Sequence, residues 1–169
     1  MKNILKQLIS FILPVTVLIL VPRWNENKWN DSIDIFSVTG FLLAVFGGVL
    51  LIGAIAMLIR MGRGTLAPWS PTSRLVTGGI YAYTRNPMIS GVLTLLLAES
   101  LIFHSVSIYI WCVSFFIINN LYFLISEEPG LEQRFGDEYA EYKKNVPRWI
   151  PRTTPWKPRS EEYGDDPGE

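Results

Sequence analysis

The stretch "NPMISGVLTLLLAESLIFHSVSIYIWCVSFFIINNLYFLISEE", residues 86–128, holds two apolar runs, Pro87 to about Phe103 and Val106 to Ser126. Only His104 and Ser105 stand between them. A helix crosses a bilayer with about 20 apolar residues at 1.5 Å each, so both runs are of spanning length. So short a link predicts a tight antiparallel helical hairpin. The stretch opens on Asn86-Pro87, a favoured cap followed by a favoured first helical residue. It closes on Glu127-Glu128, where the second run leaves the membrane.

Two further apolar segments precede it. "ILKQLISFILPVTVLILV", Ile4 to Val21, follows Lys2 and contains Lys6. It resembles a signal peptide, but the chain continues "PRWNENKW" with no small-residue cleavage site, so a retained helix kinked at Pro14 is expected. Ile33 to Ile59 is the next span, and it contains Gly40, Gly47, Gly48 and Gly53. Small residues let membrane helices approach closely, and packing is the reading preferred for these glycines. The fold class is therefore all-α integral membrane, with about four transmembrane helices. Residues 1–60 carry the first two, residues 61–152 form a core with the other two, and the polar 153–169 is expected to be disordered.

Basic residues orient the chain. With the N-terminus in the cytoplasm, thirteen of the fifteen Lys and Arg residues lie inside and only Arg23 and Lys28 outside. Both termini are then cytoplasmic, in the inner membrane if the cell is a bacterium. The same topology brings Arg85-Asn86-Pro87 and Ser126-Glu127-Glu128 to one membrane surface. The formal net charge is zero, and no nucleic-acid partner is expected. One cysteine, Cys112, excludes a disulfide or cysteine zinc site within the chain. One histidine, His104, sits far from the other polar clusters, so no metal site or histidine triad is expected.

The cytoplasmic cluster has two readings at each position. Asn86-Pro87 starts a helix, and the same N-terminus offers free N–H groups and the positive dipole end to an anion. Arg85 is a headgroup anchor or a partner for that anion. Glu127 and Glu128 oppose the dipole at a helix C-terminus, so a cation should compensate them. Asn120 lies seven residues before Glu127, two turns along nearly the same face. Asn119 and Asn120 bond a neighbouring helix or line a cavity. Glu99 reads as interfacial. Leu131, Phe135, Tyr139 and Tyr142 mark an amphipathic helix on the membrane surface, weakened by Gly136, with Trp149 and Ile150 as anchors. The cluster suits a ligand carrying both a negative and a positive group.

In order, "RLVTGGIYAYTRNPMISG", about 35 residues, and "EEPGLEQRFGDEYAEYKKNVPRWIPR" resemble the isoprenylcysteine carboxyl methyltransferase-like family, related to phospholipid N-methyltransferases. The match covers about residues 62 to 152. The resemblance implies an integral-membrane, S-adenosylmethionine-dependent methyltransferase acting on a membrane-dissolved lipophilic or lipid-linked acceptor. By resemblance, Leu75, Val76, Tyr81, Asn86, Pro87, Met88, Ile89 and Glu127 hold the cofactor. Arg85 then takes its carboxylate, Glu127 a positive group or ribose hydroxyls, and Glu128 is counted with the cofactor-binding residues. Tyr81 or Glu128 would serve as base for an acceptor that needs one. Two positions depart from the pattern. Ile89 stands where the family carries tyrosine. Phe123 stands where prenylcysteine methyltransferases carry an arginine for the substrate carboxylate, which leaves Asn120 as the nearest polar substitute and points to a smaller or less charged acceptor. The alternative is a non-catalytic membrane scaffold or binding protein that keeps the fold.

Overall fold

The computed structural model describes residues 34–62 and 74–158. The apolar segment Ile4–Val21 lies outside them. Every regular element among the described residues is a helix. Helix α1, Ile35–Gly62, is followed by a 3-10 turn at Gly79–Ala82, helix α2, Pro87–Ile102, and helix α3, Val106–Tyr122. A π turn, Phe123–Glu127, carries α3 into α4, Glu128–Phe135, and α5, Asp137–Asn145, follows. α1 and the continuous helix from Val106 are long and apolar enough to cross a membrane, whereas α2 is a shorter apolar helix.

Glycines set how closely α1 and α2 approach. A Cβ on Gly40 would stand 2.8 Å from the Ala98 carbonyl, and one on Gly91 would stand 2.9 Å from the Leu51 backbone nitrogen. Gly47 meets Thr94 and Leu95 in the same seam, but Gly48 faces open space. The packing reading therefore fits Gly40 and Gly47 and does not apply to Gly48. On its other side α2 packs on α3 through Val92, Leu96 and Phe115. The chain turns between them at Phe103–Ser105, with His104 at φ 50° and the Ser105 hydroxyl accepting the Ile108 N–H. Outward faces of α1 and α3 are apolar and exposed, as at Phe41, Ile52, Ile110 and Ile117. A soluble monomer rarely leaves so much apolar surface open.

The π turn follows from Pro129. Proline has no N–H and its ring crowds the carbonyl four residues back, here Ile125. The helix responds by inserting one residue, and the Glu128 N–H reaches the Phe123 carbonyl instead of a partner four residues back. The expected single amphipathic helix is broken in two at Gly136, φ 55°. Its stripe also faces protein and not a membrane surface. Tyr139, Tyr142 and Val146 form a buried cluster with Leu75, Leu131, Phe135 and Trp156. Trp156 lies in the segment expected to lack structure, yet it packs on Tyr142 and donates its backbone N–H to the Ala82 carbonyl.

Candidate functional site

The C-terminal end of α1, the N-terminal end of α2 and the π turn gather at one end of the bundle. A strap, residues 146–156, runs along residues 81–85 and ties that end together. The Arg85 N–H donates to the Pro147 carbonyl, the Arg152 N–H to Tyr83 and the Trp156 N–H to Ala82. The Thr84 hydroxyl donates to the Arg148 carbonyl at 2.8 Å, and the Tyr142 hydroxyl to the Tyr81 carbonyl at 2.7 Å. Backbone groups of an otherwise irregular loop are thereby satisfied without a sheet.

Arg85 and Glu128, distant in sequence, meet here at 2.8 Å. Glu128 is the centre of an ion cluster. It also accepts Arg148 Nε at 2.8 Å and lies 3.1 Å from Lys143 Nζ. Lys143 in turn reaches Glu132, and Arg85 Nη1 bonds the Tyr139 hydroxyl. Three cations thus face two carboxylates, leaving one net positive charge. Arg85 Nε is buried with no hydrogen-bond partner among the described residues, an open donor beside the start of α2.

This geometry revises the roles of several sequence candidates. Glu128 is engaged by Arg85, Lys143 and Arg148. Arg85 is largely engaged with Glu128. The compensating cations that the acid pair demanded are Arg85, Arg148 and Lys143, of which the last two escaped notice because they read as part of a basic flank. The π turn also moves the register. Asn120 was aligned with Glu127 by seven-residue spacing, but the inserted residue aligns it with Glu128 instead. Arg148 bridges the two, its Nη1 donating to Asn120 Oδ1 at 2.9 Å. Trp149 Nε1 donates to the same oxygen at 3.1 Å. Of the two readings for Asn120, bonding a neighbouring segment is the one observed, while Asn119 bonds the Phe115 carbonyl on its own helix. Phe123 is buried and stacks edge-on against Trp149.

Other candidates converge. Val76 and Tyr81 are buried together with Ala54, and Met88 packs on them. Leu75 lies in the adjoining Tyr139–Tyr142 cluster. Ile89 points the other way, into the α2–α3 core. Asn86 occupies the cap position of α2, but its side chain makes no capping bond. Only its carbonyl is used, accepting the Ser90 N–H and hydroxyl. The amide and the first N–H groups of α2 therefore stay available to a ligand. Glu127 makes no hydrogen bond or ion pair with a described residue. Its charge is felt at Tyr81, whose phenol is held above its ordinary range, first by burial and then by Glu127. Tyr81 keeps its proton and is a poor base.

A separate cavity of about 680 Å³ opens on the far side of the 79–84 segment. It lies between Leu50 and Met57 of α1, Ser90 and Thr94 of α2, and Trp149 and Pro151 of the strap.

The phospholipid methyltransferase family model matches residues 35–138. Human protein-S-isoprenylcysteine O-methyltransferase is 33% identical over 135 residues, 76% of this chain and 44% of that protein. The Schizosaccharomyces pombe protein of the same name is 34% identical over 80 residues, 46% of this chain and 33% of that one. An uncharacterized protein of Haemophilus influenzae is 35% identical over 63 residues, its full length and 37% of this chain. The chain spans less than half the length of the isoprenylcysteine methyltransferases it matches.

Proposed function

The chain belongs to the phospholipid methyltransferase family, and from that premise we propose that it is an integral-membrane, S-adenosylmethionine-dependent methyltransferase. It takes its cofactor from the cytosol and its acceptor from the membrane. The observation that carries this reading is the contrast between the two adjacent glutamates. Glu128 is buried in an ion cluster, while Glu127, whose charge reaches Tyr81, makes no hydrogen bond or ion pair with a described residue. A carboxylate, an Asn86 amide and an Arg85 donor left open among the described residues fit a zwitterionic ligand with hydroxyls.

S-adenosylmethionine, when bound, supplies an electrophilic methyl group on a sulfonium. The chain's residues bind and align the reactants. The start of α2, with Asn86 and the net positive field of the ion cluster, takes a carboxylate. Glu127 holds an ammonium or ribose hydroxyls. Val76, Tyr81 and Met88 present a dry surface that excludes water. With Glu128 engaged and Tyr81 protonated, Glu127 is the carboxylate of the pair that can still accept a proton. Alignment of the two reactants supplies most of the acceleration.

Calorimetric titration of the purified protein with S-adenosylhomocysteine tests this. Binding should be saturable, and Glu127→Gln should weaken it about tenfold, the loss of a charge-assisted hydrogen bond. A folded protein that shows no heat would overturn the reading.

A further inference from the structure

A second cavity of about 320 Å³ adjoins the large one at Thr94, which lines both. The second is bordered by Leu97 of α2 and by Tyr109, Val113 and Phe116 of α3. Phe116 also packs on Trp149 at a ring separation of 5.1 Å, so one aromatic pair flanks the junction. Between them the two cavities mark the course of a groove from the strap, past Thr94, to Leu97 and Tyr109. Among the described residues no charged side chain lines either part.

The polar atoms at the strap end have a definite sense. The Ser90 hydroxyl donates to the Asn86 carbonyl, Thr94 to the Ser90 carbonyl and Thr84 to the Arg148 carbonyl. Their protons are spent, so they offer the groove lone pairs only. Trp149 Nε1–H is spent on Asn120. Pro151 and Pro155 have no N–H to give. Among the described residues lining the larger part, the Tyr83 hydroxyl is the one side-chain donor left, and the Tyr109 hydroxyl borders the smaller part. An anionic head would enter without a counter-charge and lose its hydration, whereas a head that brings its own N–H or O–H would find acceptors waiting.

We propose that this groove binds a single-chain amphiphile with an uncharged, hydrogen-bond-donating head at Thr84, Ser90 and Thr94, its chain running past Thr94 toward Leu97 and Tyr109. Trp149, pinned by Asn120, is the plate that sets the size of the head. Naming this occupant the methyl acceptor rests on the function proposed above; the binding itself does not. The groove and the cofactor candidates share the 79–84 segment as a common wall, Ile80 and Thr84 facing one side and Tyr81 the other. The human and Schizosaccharomyces pombe relatives are isoprenylcysteine O-methyltransferases by name, whereas this groove offers a carboxylate no counter-charge.

The test uses the full chain in a mild detergent. A dibrominated fatty alcohol is compared with the dibrominated fatty acid of equal length at about pH 9, where the acid is ionised. Bromine quenches nearby tryptophan, so binding is read as the emission lost in the native protein but not in Trp149→Phe. The alcohol should bind at least about tenfold more tightly than the acid. Ser90→Leu and, independently, Val113→Phe should each weaken the alcohol about tenfold with thermal stability kept. Equal or tighter binding of the acid would overturn the proposal, as would quenching that is undiminished in Trp149→Phe. Two well-folded groove variants with unchanged affinity would do the same. Titration of the same preparation with S-adenosylhomocysteine separates the two readings. Alcohol binding without nucleoside binding keeps the groove and removes the methyl donor, and the reverse outcome removes the groove alone.

Discussion

Replacing Glu128 with alanine should unfold the site, and the size of the effect follows from its surroundings. The Glu128 side chain is 6% exposed, Arg85 11% and Arg148 15%. Removing the carboxylate leaves two cations buried without a counter-charge, a loss of about 3–5 kcal/mol for breaking such a pair from one side. Lys143 is 38% exposed and keeps Glu132 at 2.7 Å, so it adds less than about 1 kcal/mol. At roughly 2–4 °C per kcal/mol for a chain of this size, the melting temperature should fall by about 10 °C. Thermal unfolding in detergent, followed by circular dichroism, measures it. A second arm separates charge from volume. In Glu128→Met with Arg85→Met, one buried cation leaves with the anion, and the pair should recover part of the loss of the single change. A drop of less than about 2 °C in Glu128→Ala, or a double variant no better than the single, would refute the ion-cluster argument. Glu127→Gln, one residue away, should leave the melting temperature unchanged while it weakens S-adenosylhomocysteine.

Three further outcomes are expected. Gly136→Ala should cost at least about 1 kcal/mol, read as a melting shift of a few degrees, because the position has φ 55° and no contact that a methyl group could gain. Gly91→Ala should cost about 1–3 kcal/mol, since its new Cβ meets the Leu51 backbone, whereas Gly48→Ala should stay within about 0.5 kcal/mol in the same assay. At the opposite end of the bundle, Asp34 caps α1 and pairs with His104 at 2.7 Å. The Ser37 N–H and His104 lower its pKa to about 2 from 3.8. A depressed carboxyl stabilises above its unfolded pKa and loses that contribution as pH falls through its folded one. The melting difference between native protein and Asp34→Asn should therefore be fully present near pH 5 and close toward pH 2. A difference that grows on acidification would contradict it.

Much of the helical frame was legible from local chemistry. Apolar runs of spanning length forecast α1 and α3, and the start of α2 at Pro87 followed from the geometry of proline at a first helical position. The encounter of Arg85 with Glu128 was also foreseeable, because three helices joined in alternating directions bring those ends together. The break at Gly136 was visible as a weak point in the stripe. Its side was misread, because a stripe of aromatics says that a face is buried and not what buries it. Lipid and the strap carrying Val146 and Trp156 are equally apolar partners.

What the sequence determined by itself was periodicity, spacing and the need for charge compensation, all properties of neighbours along the chain. Only the tertiary structure decided which glutamate was compensated. That choice turned on one inserted residue in the π turn at Phe123–Glu127, which rotates everything after it relative to Asn120. It also turned on the return of residues 146–156 across the loop at 81–85, a contact of large sequence separation with no local signature. The direction of the hydroxyl protons at Thr84, Ser90 and Thr94 was decided in the same way. A hydroxyl in a sequence is both donor and acceptor, and only the carbonyl it meets in the fold determines what it leaves for a ligand.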